Sequence, residues 1–454
     1  MADYQHLKKR RRVEVHQQRH DGAKDTSKPT ATFKPYPGGR GYTLSIAVPG
    51  SIIANALTHD IKSRLAAQVA RAAAVFCVDE IVIFDDGWSH DHNPNLNFTN
   101  SRRDRNSTAS ARTNGHSHGR HNEKTAAEDD DFKAQHTGWV DPCHFLDHLL
   151  RYIETPPHLR RALFRLHPNL NGAGALPSLD MPHHAKRAEW CEYREGVAMG
   201  PASGGDAQEE PAKKKKRKDK ETKKEDEAQQ NTLVDVGFPS PVLVSGRFEP
   251  DTRLTLRFET GKTPPRDVRW PFPAPSSNGR RQPDQKYSCL PVDEPLPLIV
   301  EAVEKDEPRQ KGGYYWGYST RRASSLSAVF TECNYADGYD LCIGTSERGE
   351  PVSDVLDRRI GARGKPFKHA PTQPWNHMLV VFGGVAGLEV AASSDSELVD
   401  MGIKEVRGLF DEWVDLCPGQ GSRTIRTEEA VWVGLMGLRE MVLWRAGQGK
   451  RVCE

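Results

Sequence analysis

Apolar residues are scarce and nowhere massed: hydrophobic types make up 36% of the 454 residues and aromatics 8%, against 28% charged. No run of about eighteen apolar residues occurs, so no segment is long and apolar enough to cross a bilayer as a helix. The opening MADYQHLKKRRR carries charge where a secretory signal carries an apolar block, and a soluble, intracellular protein is expected. None of the eight cysteines falls in a C-x-x-C pair, which argues against a zinc ribbon and a disulfide framework, so they read as buried thiols. There is no G-x-x-x-x-G-K loop and no evident pair of magnesium carboxylates, which disfavours nucleotide hydrolysis.

What is present exceeds one core in length, so two domains are expected, or one domain with a large insertion. The net charge is only +2 because 64 Lys and Arg offset 62 Asp and Glu, but the basic residues form blocks at Lys8 to Arg12 and Lys213 to Lys218. Residues 1–40 lack apolar periodicity and read as a disordered basic tail. Thr43 to Gly50 is a short strand-like run, Leu57 to Cys77 places Ile61, Leu65, Ala66, Val69 and Ala73 at helical intervals, and Glu80 to Phe84 is a second buried strand. Together they predict a right-handed βαβ unit with parallel strands.

Residues 85–137 are rich in Asn, Ser, His and Asp and read as a disordered insertion; His90, His92, His116, His118 and His121 within it read as adventitious chelators, and no metal is expected. Phe145, Leu149, Leu150 and Ile153 mark a helix stopped at Thr155-Pro-Pro-His158. From Tyr193 the period falls to two in YREGVAM, LVDVGF, VLVSGRF and TRLTLRFET, which predicts a five-stranded barrel over Glu192 to Lys311 with a charged disordered loop at 204–231. The α/β pattern then resumes with YYWGYS, a helix near Ala323 to Phe330, the strands YDLCIGT and HMLVVFGG, a helix near Glu397 to Asp415, and a last helix over Thr427 to Leu443. Trp432, Met436 and Met441 in that helix read as core.

Three loops at strand ends draw notice, because ligands of open parallel sheets bind beyond the carboxyl ends of strands. Phe382-Gly383-Gly384 leaves room for close backbone approach and free φ, although its G-G-x-x-G spacing is not a dinucleotide fingerprint and a plain turn would also explain it. Glu347 and Arg348 between Gly344 and Gly349 are either site residues or a surface ion pair. The run Cys417 to Thr427 leads into the last helix, where Thr427 is expected to cap and Glu428 and Glu429 suit the positive helix end. Arg423 and Arg426 do not suit it, and they read as recruited for an anionic partner.

The segments SIAVPGSIIANA, QVARAAAVFCVDEIVIFDD, LLRYIETPPHLRRALF, YWGYSTRRASSLSAVF, YDLCIGTSERG, LVVFGG and CPGQGSRTIRTEEA closely resemble the centromere-associated RNA methyltransferase family of the SPOUT superfamily, found in eukaryotes and archaea. The resemblance covers about Tyr42 to Leu443 without the two polar insertions. It implies an α/β domain over 41–191 and 312–454 whose C-terminal part forms a trefoil knot, an OB-like domain inserted at 192–311, and a homodimer formed through the knot. It further implies S-adenosylmethionine as cofactor, held by Thr345, Ser346, Gly349, Phe382, Gly383, Gly384, Cys417, Pro418, Gly419, Gln420, Gly421, Ser422, Thr424, Ile425 and Thr427. Arg423 and Arg426, then Glu347 and Arg348, are expected to serve the chemistry, and Arg247, Phe248 and Arg253 to bind RNA on the barrel. The expected substrate is ribosomal RNA, at a base such as uridine N3, and the alternative is an inactive RNA-binding protein of the spindle or kinetochore. The run Lys213 to Lys218 reads as an importin address to the nucleus or nucleolus.

Overall fold

The computed structural model describes residues 35–87, 136–187, 189–201, 231–264, 296–360, 374–384, 386–403 and 405–451. The start of the basic tail, the five histidines of the first insertion and the run Lys213 to Lys218 lie outside the described residues. Among the described residues no helix is long and apolar enough to cross a membrane.

The chain is tied down earlier than the expected tail boundary. Tyr36 donates its amide to the Gly313 carbonyl at 2.9 Å, and Arg40 is buried against Asp79. Strand β1 (Thr43–Pro49) is buried at all seven positions, as an apolar run in a sheet covered on both faces must be. A single turn, α1 (Ser51–Ala54), leads to α2 (His59–Phe76), which begins where the Thr58 hydroxyl accepts from Ile61 and ends at Cys77 in a left-handed conformation, φ 58°. Strand β2 (Glu80–Phe84) follows, parallel to β1. Helix α3 (Pro142–Glu154) starts with Asp141 accepting the His144 amide at 2.8 Å and stops at the expected Thr-Pro-Pro; a short turn, α4 (Arg160–Leu163), comes after it.

Five strands then close a barrel: β3 (Tyr193–Pro201), β4 (Asn231–Asp235), β5 (Val242–Ser245), β6 (Arg253–Phe258) and β7 (Leu296–Val303), in the order β3-β4-β5-β7-β6. Every pairing is antiparallel except β5 with β7. Val234, Val242, Val244, Leu256 and Phe258 fill it, and the turn α5 (Glu307–Gln310) leads back out.

The returning chain forms β8 (Ser319–Ala323), α6 (Leu326–Thr331), β9 (Leu341–Pro351), α7 (Val352–Ile360), β10 (His377–Val381), α8 (Gly387–Ser394), α9 (Ser396–Asp400), β11 (Glu412–Asp415), α10 (Thr427–Gly437) and α11 (Arg439–Arg451). All six strands of the sheet run parallel, in the order β11-β9-β10-β1-β2-β8. One face, with Ile46, Ile81 and Val380, is covered by α2, α3, α7, α10 and α11; the other, with Ala47, Val82 and Val381, by α6, α8 and α9.

Three local expectations are corrected, and YYWGYS, given no element above, acquires a role. The helix expected over Glu397 to Asp415 is broken by Gly402, whose φ of 71° no helix allows, and its last four residues are the edge strand β11. YYWGYS serves as an anchor ahead of β8: Tyr315 donates to the Val78 carbonyl at 2.8 Å and Tyr318 to the Leu150 carbonyl at 3.0 Å. The last helix is interrupted at Leu438. Met441 is buried and Trp432 packs on Phe76, but Met436 is 65% exposed, because its side of α10 turns away from the sheet.

Candidate functional site

The three expected loops come together at the carboxyl ends of β10 and β11 and at a point within β9. The first is a bulge rather than a strand end. Trp413 of β11 stands opposite Gly344, whereas the next residue, Val414, stands opposite Glu350, so Thr345 to Gly349 are thrown out of the ladder while β9 continues to Pro351. Glycines bracket the bulge for steric reasons: a Cβ on Gly344 would lie 2.5 Å from the Trp413 ring, and one on Gly349 would lie 2.4 Å from the Val414 carbonyl carbon. Thr345 donates its hydroxyl to the Val381 carbonyl at 3.1 Å, and Ser346 accepts the Arg348 amide at 3.2 Å.

The second loop follows β10. Phe382 is buried with its ring against Gly434 of α10, where a Cβ would come within 2.9 Å. Gly383 and Gly384 do not need positive φ; they are small because space is short. A Cβ on Gly383 would stand 3.0 Å from the Leu388 amide, and one on Gly384 would stand 3.0 Å from Asp86 Oδ2 and 3.1 Å from Ser51 Oγ.

The third loop is open to solvent. Asp415 accepts the Cys417 amide at 3.0 Å, Gln420 donates its amide to the Cys417 carbonyl at 3.1 Å, and Gly419 has φ 76°. Pro418, Gly419, Gly421, Ser422, Arg423 and Thr424 are exposed and Ile425 half-buried. Arg426, not Thr427, is the N-cap of α10, and its amide donates to Glu429 Oε2 at 3.1 Å. Thr427 is buried one position later and donates its hydroxyl to the Gly383 carbonyl at 2.8 Å, tying the third loop to the second.

Arg423 and Arg426 are both exposed at this end of α10. Glu347 is exposed as well, and Arg348 pairs with Glu389 of α8 at 3.5 Å with 75% of its side chain in water, a contact worth less than about 1 kcal/mol. Beside the bulge opens a cleft of about 740 Å3, lined by Arg348, Glu389, Ile403, Val406 and Trp413.

Residues 43–438, which include all three loops, match the model of a family described as "Putative RNA methyltransferase". The chain belongs to this RNA methyltransferase family. Three relatives, each named 28S rRNA (uridine-N(3))-methyltransferase, are similar to it over most of its length. The Homo sapiens protein is 35% identical over 401 residues, 88% of this chain and 79% of the relative. The Mus musculus protein is 34% identical over 88% of this chain and 77% of its own, and the Drosophila melanogaster protein 33% identical over 90% and 64%.

In this RNA methyltransferase the residues expected to read RNA on the barrel separate. Arg247 is exposed, and Phe248 is half-buried against the barrel core with its amide donated to Thr232 Oγ1 at 3.1 Å. Arg253 is a joint instead. Its Nη1 meets Glu154 Oε2 of α3 and its Nε meets Glu195 Oε2, both at 2.7 Å. Burial alone would raise the Glu154 carboxyl, but Arg253 and His183 beside it hold it well below the usual carboxylate range. The charge of Arg253 is thereby committed inside the protein.

One pair at the site was not anticipated. Ser51, just after β1, donates its hydroxyl to Asp86 Oδ2, just after β2, at 2.5 Å; both are buried and both border Gly384. The available signal was positional: Pro-Gly-Ser and Asp-Asp each end a buried parallel strand. Among the described residues no cluster of His, Cys, Asp or Glu is arranged to hold a metal.

Proposed function

We propose that this chain is a SPOUT-class enzyme that methylates N3 of a uridine in ribosomal RNA, with S-adenosylmethionine as donor. The observation that carries this is the convergence of the three loops, held together by the Thr345 and Thr427 hydroxyls on the Val381 and Gly383 carbonyls. The residues fit a nucleoside ligand: a Cβ on Gly419 or Gly421 would meet nothing within 4 Å, so backbone there is open to a neighbour, and Asp86 and Ser51 place polar groups at the adjoining strand ends. Bound there, the sulfonium would supply an electrophilic methyl group. The protein must orient the uracil so that N3, once its proton is lost to water, lies in line with that carbon. Arg423 and Arg426, both exposed at the start of α10, would hold the negative charge of the uracil imide or of a flanking phosphate.

Four further readings belong to this proposal. The barrel is an OB-fold, supported by its order and its one parallel pairing. The C-terminal end is knotted, supported by a chain that pairs β11 outside β9 yet returns α10 against α2 and Gly383. A second copy packs on α10 and α11, supported by the exposed Val433, Met436 and Leu443. The basic run directs import to the nucleus and nucleolus.

The test is calorimetric titration of the folded chain with S-adenosylhomocysteine, followed by mapping of methylated uridines in ribosomal RNA incubated with protein and donor. Saturable binding and one new N3-methyluridine are expected. Folded protein that binds no cofactor would leave an RNA-binding structural protein in its place.

A further inference from the structure

A cleft of about 1030 Å3 lies away from the three loops, between α3, the segment after α4, the edge strand β8 and the barrel. Six Arg and Lys side chains line it against two carboxylates, Asp147 and Glu154. Both carboxylates are engaged: Glu154 by Arg253 and His183, and Asp147 by the Thr320 hydroxyl at 2.5 Å with Arg151 at 3.7 Å. Arg165, from the α/β body, and Lys305, from the barrel, are exposed. Of the cations, Arg151 is paired with Asp147, Arg253 with Glu154 and Glu195, Arg321 with Glu80 and Arg322 with Asp141, so the charge that the cleft presents to solvent is that of Arg165 and Lys305.

The cleft also offers a flat surface. Phe164 is half-buried and stacks on His148, with ring centroids 6.0 Å apart and planes 20° apart, and its neighbour Leu166 is 95% exposed. A planar pair among spaced cations suits unpaired bases joined by phosphates, because every base has a face to stack and every linkage a charge to neutralise.

Its course is informative. At one end stand Arg253 and Lys305, at the barrel; α3 then runs for 13 residues, about 20 Å, along the wall. At the other end stand His144 and Arg322, next to Cys143, whose thiol lies 3.6 Å from the Phe84 carbonyl at the carboxyl end of β2. Two residues further on, Asp86 Oδ2 lies 3.0 Å from where a Cβ on Gly384 would stand. The cleft thus leads from the barrel to the side of the sheet where the three loops meet. From β8 to β10 is three strand spacings, about 14 Å.

We propose that this cleft is the track along which single-stranded RNA passes from the barrel to the methyl-transfer site. The proposal rests on the RNA methyltransferase reading and adds the path of the substrate.

The test uses the full chain and a fluorescent oligouridylate of about 12 nucleotides, with anisotropy measured over a range of KCl. Arg165→Glu combined with Lys305→Glu is expected to weaken binding at least about tenfold and to lower the salt slope by about 1.4, the value for two phosphate contacts on a single strand. Phe164→Ala is expected to weaken it roughly tenfold with the slope unchanged. Unaltered S-adenosylhomocysteine titrations show that both variants are folded. Wild type that binds RNA while both variants bind it equally, with the same slope, overturns the track and leaves the enzyme reading intact. Displacement of the RNA by polyglutamate at equal charge concentration also overturns it, since the cleft would then be a docking surface for acidic protein. Wild type that binds the cofactor but no RNA overturns the track together with the substrate class.

Discussion

The hydroxyl of Thr427, the first residue of α10, rests 2.8 Å from the carbonyl oxygen of Gly383, 44 positions earlier in the chain. Replacing Thr427 with Val keeps the shape and removes the donor, which leaves a carbonyl short of a partner. A loss of about 1–3 kcal/mol in urea unfolding is expected, with cofactor binding weakened as well and Thr427→Ser close to wild type. Wild-type behaviour of the Val variant in both measurements would mean that the two loops are not coupled through this bond.

Gly384 has no room for a side chain on the side of Ser51 and Asp86. Gly384→Val should push that pair aside, at a cost of about 1–3 kcal/mol, and abolish S-adenosylhomocysteine binding in calorimetry while the circular dichroism spectrum stays native. A folded variant that titrates normally would move the cofactor elsewhere.

Arg423 and Arg426 are exposed, so Ala at either position should change stability by less than about 0.5 kcal/mol. If they stabilise charge on the reacting base, single-turnover methyl transfer should fall by roughly two orders of magnitude with cofactor affinity almost unchanged. A role with phosphate alone predicts weaker RNA binding, a shallower salt dependence and normal turnover at saturating RNA. Full rates under all conditions would remove both arginines from the chemistry.

Lys62 is buried, donates to the Ile53 and Gly138 carbonyls at 2.6 and 2.9 Å, and lies 3.5 Å from the centre of the Trp139 ring. Burial pushes its pKa down to about 7, from 10.5. Between those values the unfolded chain holds a proton that the fold does not, so this lysine makes stability rise with pH, by at most about 1.4 kcal/mol per unit. Below pH 7 the full penalty applies. Lys62→Met should remove the slope, so that urea midpoints of wild type gain on the variant between pH 7 and pH 10; parallel curves would show that the ammonium stays charged throughout.

The βαβ start, α3 and the barrel strands were legible because each combines a clear period with a recognisable stop. β11 was not: Glu412-Trp-Val-Asp415 is four residues with acids at both ends, and only the ladder with β9 makes it a strand. β8, Ser-Thr-Arg-Arg-Ala, hides for the same reason, being a polar edge whose partner is remote. The three loops could be found from glycine and strand ends, but not the five-residue bulge, because register is a property of pairs of strands. Arg253 looked like a free cation on a strand; its partner Glu154 is 99 positions away, a distance at which charge pattern carries no information. Thr427 looked like a cap because threonine before two glutamates usually is one.

β1 lies between β2 and β10, and Thr43 pairs with His377 across 334 positions. At about 5–20 residues per second the ribosome needs roughly 17 to 67 seconds to make the chain between them. For that interval a strand buried at all seven positions waits with one edge bare. Output of folded protein is therefore expected to depend on how well the nascent chain is shielded, and substitutions that slow elongation or weaken α2 should lower yield without altering the finished molecule.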